Sequence, residues 1–265
     1  MTEYIGIIGV GHLAAYMVKG FYRALNDTKV LLSPRGKVNV TSLQQRFGCK
    51  IAQNNQDVVN QCDIIIISVK PQDVPSVLKE LVFRPEQLVI SVAAGVPFKV
   101  ISQHVTPATA VCALPISSVA INQSPTIQYP AENRAYQLLL LLGPVTILPD
   151  ENQFITASTY SAFYGWTFHF LKEIIEWGVR EGLPSDVSRN IVQQIFKSTA
   201  GMTALDPKRP LGEIVTSLAT PGGITEQGIK ILEEDNGFII WKNALDRVHE
   251  RLMGDLNSSE DNASN

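Results

Sequence analysis

The chain is poor in the residues that carry most covalent and acid–base catalysis. It has three cysteines and four histidines in 265 residues. Cys49, Cys62 and Cys112 stand far apart with no metal-ligand spacing, so they read as buried free thiols and no metal is expected. Cations are not in excess: 22 Lys and Arg against 25 Asp and Glu give a formal charge of −3. That balance supplies no electrostatic reason for nucleic acid or an anionic membrane as partner. Apolar runs such as Leu138 to Leu142 fall far short of the roughly 20 residues that span a bilayer. A strand-like run begins almost at once, so we expect no signal peptide and a cytoplasmic location. No internal repeat is present. With 45% hydrophobic and 18% charged residues, the composition is that of an ordinary folded chain with one large or two medium domains.

What is present is concentrated at the start. Tyr4 to Ile8 is a short apolar run, followed by Gly9-Val10-Gly11-His12-Leu13-Ala14 and a helix-like segment from Ala14 to Ala24. Strand, Gly-x-Gly-x-x-Gly/Ala turn and helix together form the dinucleotide-binding fingerprint. Gly9 permits the tight turn, Gly11 lets backbone approach a pyrophosphate, and Ala14 lets the helix pack close to the strand. The helix N-terminus then offers free N–H groups and partial positive charge to phosphate. His12, inside this turn, is expected to line the cofactor rather than catalyse.

A second strand, Lys29 to Ser33, should end near the cofactor ribose. An NAD site places an acid there, yet no Asp or Glu occurs between Val30 and Gln44. Ser33-Pro34-Arg35-Gly36-Lys37 stands instead, and a hydroxyl with two cations suits a 2′-phosphate. NADP is therefore preferred over NAD, although a missing acid also fits a site that hardly touches the ribose. Further strands are read at Asp63 to Val69, Gln87 to Val92, Ala110 to Leu114 and Thr146 to Leu148. Between them come helices at Gln44 to Asn60, Val74 to Leu81, Phe98 to Val105 and Ala135 to Leu142. This alternation predicts a parallel, doubly wound Rossmann-type sheet over residues 1–150. Val69-Lys70-Pro71 and Ala93-Ala94-Gly95 fall at its carboxyl edge, where cofactors sit.

From Glu151 only helical periodicity remains: Gln153 to Arg180, Ser185 to Thr203, Leu211 to Ser217 and Glu226 to Arg251. We read 151–255 as an all-α domain and 256–265, rich in Ser, Asn, Asp and Glu, as a disordered tail. The first of these helices is apolar nearly all round (Phe154, Phe163, Trp166, Phe168, Phe170), and a small domain cannot enclose such a helix without a second subunit. His169 on that helix is expected in the core; His104 and His249 are expected at the surface.

In its motifs the chain resembles the pyrroline-5-carboxylate reductase family over nearly its whole length. The resemblance rests on Gly9 to Ala14, Val69-Lys70-Pro71-Gln72, Ile90 to Val96, and Gly178-Val179-Arg180-Glu181-Gly182-Leu183-Pro184. It rests most of all on Thr220-Pro221-Gly222-Gly223-Ile224-Thr225, which is similar to the family's Ser-Pro-Gly-Gly-x-Thr signature. The resemblance implies NADPH-dependent reduction of a cyclic imine, 1-pyrroline-5-carboxylate, to L-proline. It implies a helical domain that pairs into a homodimer, often in a ring of dimers, with the active site between cofactor and dimer interface. It also implies that the Thr225 hydroxyl bonds the imine nitrogen. Thr220 and the backbone of Gly222, Gly223 and Ile224 would hold the substrate carboxylate. Read locally, without the resemblance, Thr225 is more readily an N-cap residue after a glycine turn.

Two substrate-side segments depart from the family. Where it has Arg-x-Met-Pro-Asn-Thr-Pro, this chain has Cys112 to Ser118 with Ile116 in place of the Asn. Where it has Gly-Ser-Gly-Pro-Ala-Tyr, this chain has Ser161-Ala162-Phe163-Tyr164-Gly165-Trp166. Those changes leave open a relative that reduces another imine, or one that binds cofactor without turnover. A β-hydroxyacid dehydrogenase is the other enzyme reading; it needs a catalytic Lys with a nearby Asn, but after Lys172 no Asn occurs before Asn190.

Overall fold

The structure, a computed structural model, describes residues 4–25 and 27–263, with side chains as far as 254. Its described residues divide into two compact units, 1–161 with 249–265, and 162–248.

The first unit is built on β1 (Tyr4–Ile8), α1 (His12–Ala24), β2 (Lys29–Leu32), α2 (Lys37–Phe47), β3 (Lys50–Ile51), α3 (Asn55–Gln61) and β4 (Ile64–Ile67). It continues through α4 (Val74–Lys79), β5 (Leu88–Ser91), α5 (Phe98–Val105), β6 (Thr109–Leu114), β7 (Thr126–Tyr129), α6 (Asn133–Leu140) and β8 (Val145–Ile147). The eight strands form one sheet in the order β3-β2-β1-β4-β5-β6-β7-β8. The order reverses between β1 and β4, which opens a crevice at their carboxyl ends.

Both faces of the sheet are covered, as the uninterrupted isoleucines of β4 require. Ile7, Leu32, Ile66, Ile90 and Val111 pack with Met17, Val18 and Phe21 of α1 and Leu138 and Leu139 of α6. The alternate residues Ile8, Leu31, Ile65, Ile67 and Val89 pack with Val58, Val59, Leu78, Ile101 and Val105. Each such side chain contributes about 1.5–3 kcal/mol by leaving water.

Two features depart from the sequence reading. Gln44 to Asn60 is not one helix but the end of α2, the short β3 and α3. Gly48 breaks it, with a positive φ of 70° where α2 is capped. The sheet is also not wholly parallel, because β7 runs antiparallel to β6. Only a 3-10 turn at Ser117–Ile121 precedes β7. A parallel return needs a crossover of a dozen or more residues.

The long helix α7 (Glu151–Arg180) starts at the boundary read from sequence, and the division into compact units falls within it. The second unit holds the rest of α7, α8 (Ser185–Leu205), α9 (Leu211–Leu218), α10 (Ile224–Glu234) and the start of α11 (Gly237–Ala263). The single helix expected over 226–251 is therefore two. Asn236 breaks it with φ of 58°, and its amide donates to the Glu233 carbonyl at 3.1 Å. The tail read as disordered from Leu256 has its side chains, and its last two residues entirely, outside the described residues.

Within the second unit Trp241 is the centre of an aromatic cluster. Its ring lies 5.9 Å from Phe163, 6.3 Å from Trp166 and 5.8 Å from Phe170. His169, expected in the core, is exposed instead and faces Glu173 one turn on at 3.8 Å. Among the described residues no helix is long and apolar enough to cross a membrane.

Candidate active site

The glycines of the first turn differ in what constrains them. Gly9 has φ of 91°, and a Cβ there would lie 2.6 Å from Val69 and 2.7 Å from the Ser68 backbone. It is the joint between the ends of β1 and β4. Gly11, by contrast, has nothing within 4 Å of its would-be Cβ. It stands at the N-cap of α1 with no side-chain cap and no acid in the first turn. The amides there face an open approach suited to an anion. His12 is exposed, Leu13 half-buried and Ala14 fully buried against the sheet, the close packing its small side chain allows.

The segment after β2 is fastened to this turn. Ser33 is fully buried, and its hydroxyl accepts the Gly9 amide at 3.0 Å. Gly36, with φ of 89°, leaves no room for a Cβ, which would lie 2.7 Å from the Val10 carbonyl. Asn39 donates from Nδ2 to that carbonyl at 3.0 Å. Ser33, expected to reach a 2′-phosphate, is thus engaged in holding the turn, while Arg35 and Lys37 remain exposed. No acid lies in the first turn of α2. Asn39 was missed in the sequence reading, since nothing local ties it to a carbonyl 29 positions away.

The sheet register brings the other expected residues to the same edge. Ile8 pairs with Ile67, and Ile67 with Ser91, so the segments following β4 and β5 leave side by side. Val69, Lys70 and Pro71 follow β4, with Val69 half-buried and the other two exposed; Ala93, Ala94 and Gly95 follow β5 and are half-buried, Gly95 at φ of 75°. Apart from the buried Ser33 and Ala14, the residues expected from the first 95 positions are exposed or half-buried at this carboxyl edge.

Thr225 lies in the second unit. It is the second residue of α10, whose N-cap is Gly223 rather than Thr225. Its exposed hydroxyl makes no hydrogen bond among the described residues, so the capping role open to it in sequence is not the one it plays. Gly222 takes φ of 74°, and its amide donates to Glu226 at 2.8 Å. That bond, followed by the Lys230 ammonium at 3.1 Å, holds the Glu226 carboxyl below its ordinary range. Gly223 turns against Thr220, whose carbonyl accepts the Gly223 amide at 2.9 Å. Thr220, Gly222, Ile224 and Thr225 are exposed and Gly223 half-buried. Glu226, which sets this loop, was also missed; an acid three residues past an N-cap was its signal.

The departures have physical counterparts. Ile116 offers no amide, and its own backbone N–H donates to Ser124 at 2.9 Å. Phe163 and Trp166 enter the Trp241 cluster. Among the described residues there is no group of acids, cysteines and histidines able to hold a metal.

Comparison with known proteins agrees with this geometry. A family profile described as NADP oxidoreductase, coenzyme F420-dependent, matches residues 4–95, and one described as pyrroline-5-carboxylate reductase dimerisation matches residues 151–253. The two profiles and the relatives together support a member of the pyrroline-5-carboxylate reductase family. Pyrroline-5-carboxylate reductase 3 of Rattus norvegicus is 27% identical over 242 residues, 87% of this chain and 88% of the relative. A pyrroline-5-carboxylate reductase structure from Streptococcus pyogenes superposes with a TM-score of 0.85 at 24% identity, covering 94% and 98% of the two chains. The Plasmodium falciparum pyrroline carboxylate reductase with NADP bound gives a TM-score of 0.84 at 21% identity, covering 96% and 98%. The protein is a reductase like those of the pyrroline-5-carboxylate reductase family, with a pyridine-nucleotide-binding fold and that family's dimerisation domain.

Proposed function

We propose that the protein reduces a cyclic imine with NADPH, taking 1-pyrroline-5-carboxylate to L-proline. The observation that carries this reading is the dimerisation-family match over 151–253, which contains the Thr220 to Thr225 loop. Its curated relatives bear the name of that activity over comparable lengths.

The residues at the carboxyl edge fit a dinucleotide: Gly11 is open to approach, and α1 presents an uncapped, acid-free first turn. When bound, the nicotinamide supplies the hydride that the imine carbon accepts. Gly9, Gly11, His12, Leu13 and Ala14 hold the pyrophosphate at the start of α1, and Val69, Lys70, Pro71, Ala93, Ala94 and Gly95 line the nucleotide. Arg35, with Lys37, takes the 2′-phosphate, the basis for NADPH over NADH. Ser33 fixes the turn they bracket. Thr225 hydrogen-bonds the imine nitrogen, while Thr220 and the backbone of Gly222, Gly223 and Ile224 bind the carboxylate. An aliphatic imine is readily protonated and already electrophilic. Orientation and exclusion of water are then the protein's main tasks.

The same reading includes assembly into a homodimer or ring of dimers. Large apolar side chains of the helical unit, Phe168, Trp177, Ile195 and Ile240 among them, are exposed in the single chain. A second copy would cover them. A dehydrogenase that uses Lys172 is disfavoured, since that ammonium is held by Glu173 at 2.9 Å and Glu176 at 2.8 Å.

One alternative has its own support. Ile116 and the Phe163 to Trp166 segment favour a relative that reduces another imine, or that binds cofactor without turnover. NADPH oxidation with pyrroline-5-carboxylate, run beside an NADPH-binding titration, separates the two. Turnover at rates ordinary for enzymes supports the proline-forming reading; tight binding without turnover overturns it in favour of the alternative.

A further inference from the structure

A second concave surface lies at the amino edge of the sheet, opposite the nucleotide edge. β1 spans the distance between them, with Tyr4 at its start and Gly9 just past its end, about 16 Å apart at a strand's rise per residue. A hollow of about 530 Å³ opens there, lined in part by Tyr4, Tyr22, Asp27, Lys29, Phe47 and Lys50. A neighbouring hollow of about 490 Å³ shares Tyr22 and Phe47 and adds Lys19, Arg23 and Arg46. Between them stands a fixed wall, the stacked rings of Tyr22 and Phe47 with centroids 5.2 Å apart.

The charge of this surface is one-sided. Lys29 and Lys50 start β2 and β3, and their ammonium groups stand 5.7 Å and 5.1 Å from the centre of one ring, that of Tyr4. Arg46 places its guanidinium 5.3 Å from the Phe47 ring. Among the described residues none of Lys19, Arg23, Lys29, Arg46 and Lys50 has a carboxylate partner, whereas Arg84, Lys172 and Lys230 all do. Asp27 is the one acid among the described residues that lines either hollow. Five cations that have no carboxylate partner among the described residues repel one another, and a bound anion relieves that repulsion.

We propose that this amino-edge hollow binds a small, multiply charged, phosphate-bearing anion, with Lys29 and Lys50 as its principal contacts. The surface is broad and open to solvent, and lysine binds phosphate as a point charge from a flexible stem. The site is independent of the reductase reading, since it shares no residue with the nucleotide edge.

Calorimetric titration of tripolyphosphate into the full chain, saturated with NADPH so that the carboxyl edge is filled, tests it. The expected result is binding that weakens about tenfold in the Lys29→Gln/Lys50→Gln variant and falls as salt rises. It should persist in Arg35→Ala, which alters only the nucleotide edge. Both lysines are exposed, and Lys50→Arg, which keeps the charge, should bind as the unaltered chain does. Absence of binding to the unaltered chain overturns the proposal, as does binding that the double variant leaves intact.

Discussion

The Ser33 hydroxyl accepts a hydrogen bond from the Gly9 amide at 3.0 Å, joining the end of β2 to the turn after β1 across 24 residues. The bond lies beneath the proposed cofactor rather than against it. Ser33→Ala leaves a part-buried N–H unpaired, at a cost of about 1–2 kcal/mol. We expect urea denaturation to register that loss, and affinity for NADPH and NADH to fall by similar factors. A change in the NADPH/NADH ratio at unchanged stability would return Ser33 to direct phosphate contact.

Arg35 is the discriminating counterpart. Its loss should weaken NADPH by about tenfold or more, the worth of a charge-assisted hydrogen bond, and leave NADH almost unaffected. Fluorescence titration with both nucleotides measures the ratio. Equal weakening would remove the 2′-phosphate assignment.

The two glycines of the turn predict opposite phenotypes. Gly11→Ala meets nothing within 4 Å, so it should melt near the unaltered protein yet bind nucleotide poorly, the added methyl standing where the pyrophosphate approaches. Gly9→Ala forces a Cβ to 2.6 Å from Val69 at φ of 91°. It should cost stability itself, on the order of 1–3 kcal/mol. Thermal melts paired with nucleotide titration distinguish the two.

Thr225→Ala should lower turnover while leaving NADPH affinity and the melting temperature close to unaltered. The hydroxyl caps nothing, since Gly223 occupies the N-cap of α10. A drop in melting temperature with turnover preserved would make Thr225 a structural residue after all.

Stability should decline on the alkaline side. Burial pushes the Cys62 and Cys112 thiols from an ordinary value of 9.0 up to about 12, and the Tyr22 phenol from 10.0 to about 12. The native chain therefore holds these protons more tightly than the unfolded chain does. Their contribution is complete below pH 9 and is lost as pH climbs toward 12. Melting temperature followed across that interval should fall, and fall less steeply in Cys112→Ala. A flat profile would show that these groups reach water in the native state.

How far the sequence carried the fold can be argued residue by residue. Gly9, Gly11 and Ala14 were legible because their constraint is local: the turn and the helix start that need them lie within six positions. The isoleucines of β4 announced a strand covered on both faces. Ser33 was expected to face phosphate because a hydroxyl beside two cations suggests it, and only the sheet brings the Gly9 amide within reach of that hydroxyl. Asn39 and Glu226 show nothing in composition; each matters through one hydrogen bond to backbone. The break at Asn236 was hidden because apolar residues continue at helical spacing on both sides, Ile231 and Leu232 before it and Ile239 and Ile240 after. Strand β7 was not read at all: Thr126 to Tyr129 is only four residues long, and the helix at Ala135 to Leu142 was taken as the crossover from Ala110 to Leu114 to Thr146 to Leu148.

The cluster around Trp241 also fixes what light can report. The chain has three tryptophans, Trp166, Trp177 and Trp241, and all three belong to the helical unit. Indole emission is thus a private channel for that unit, while the nucleotide unit, built without the residue, stays dark under selective excitation. Trp177, 55% exposed, would register any surface that comes to cover it. Trp166 and Trp241, close enough to exchange excitation, would register loosening of the cluster itself.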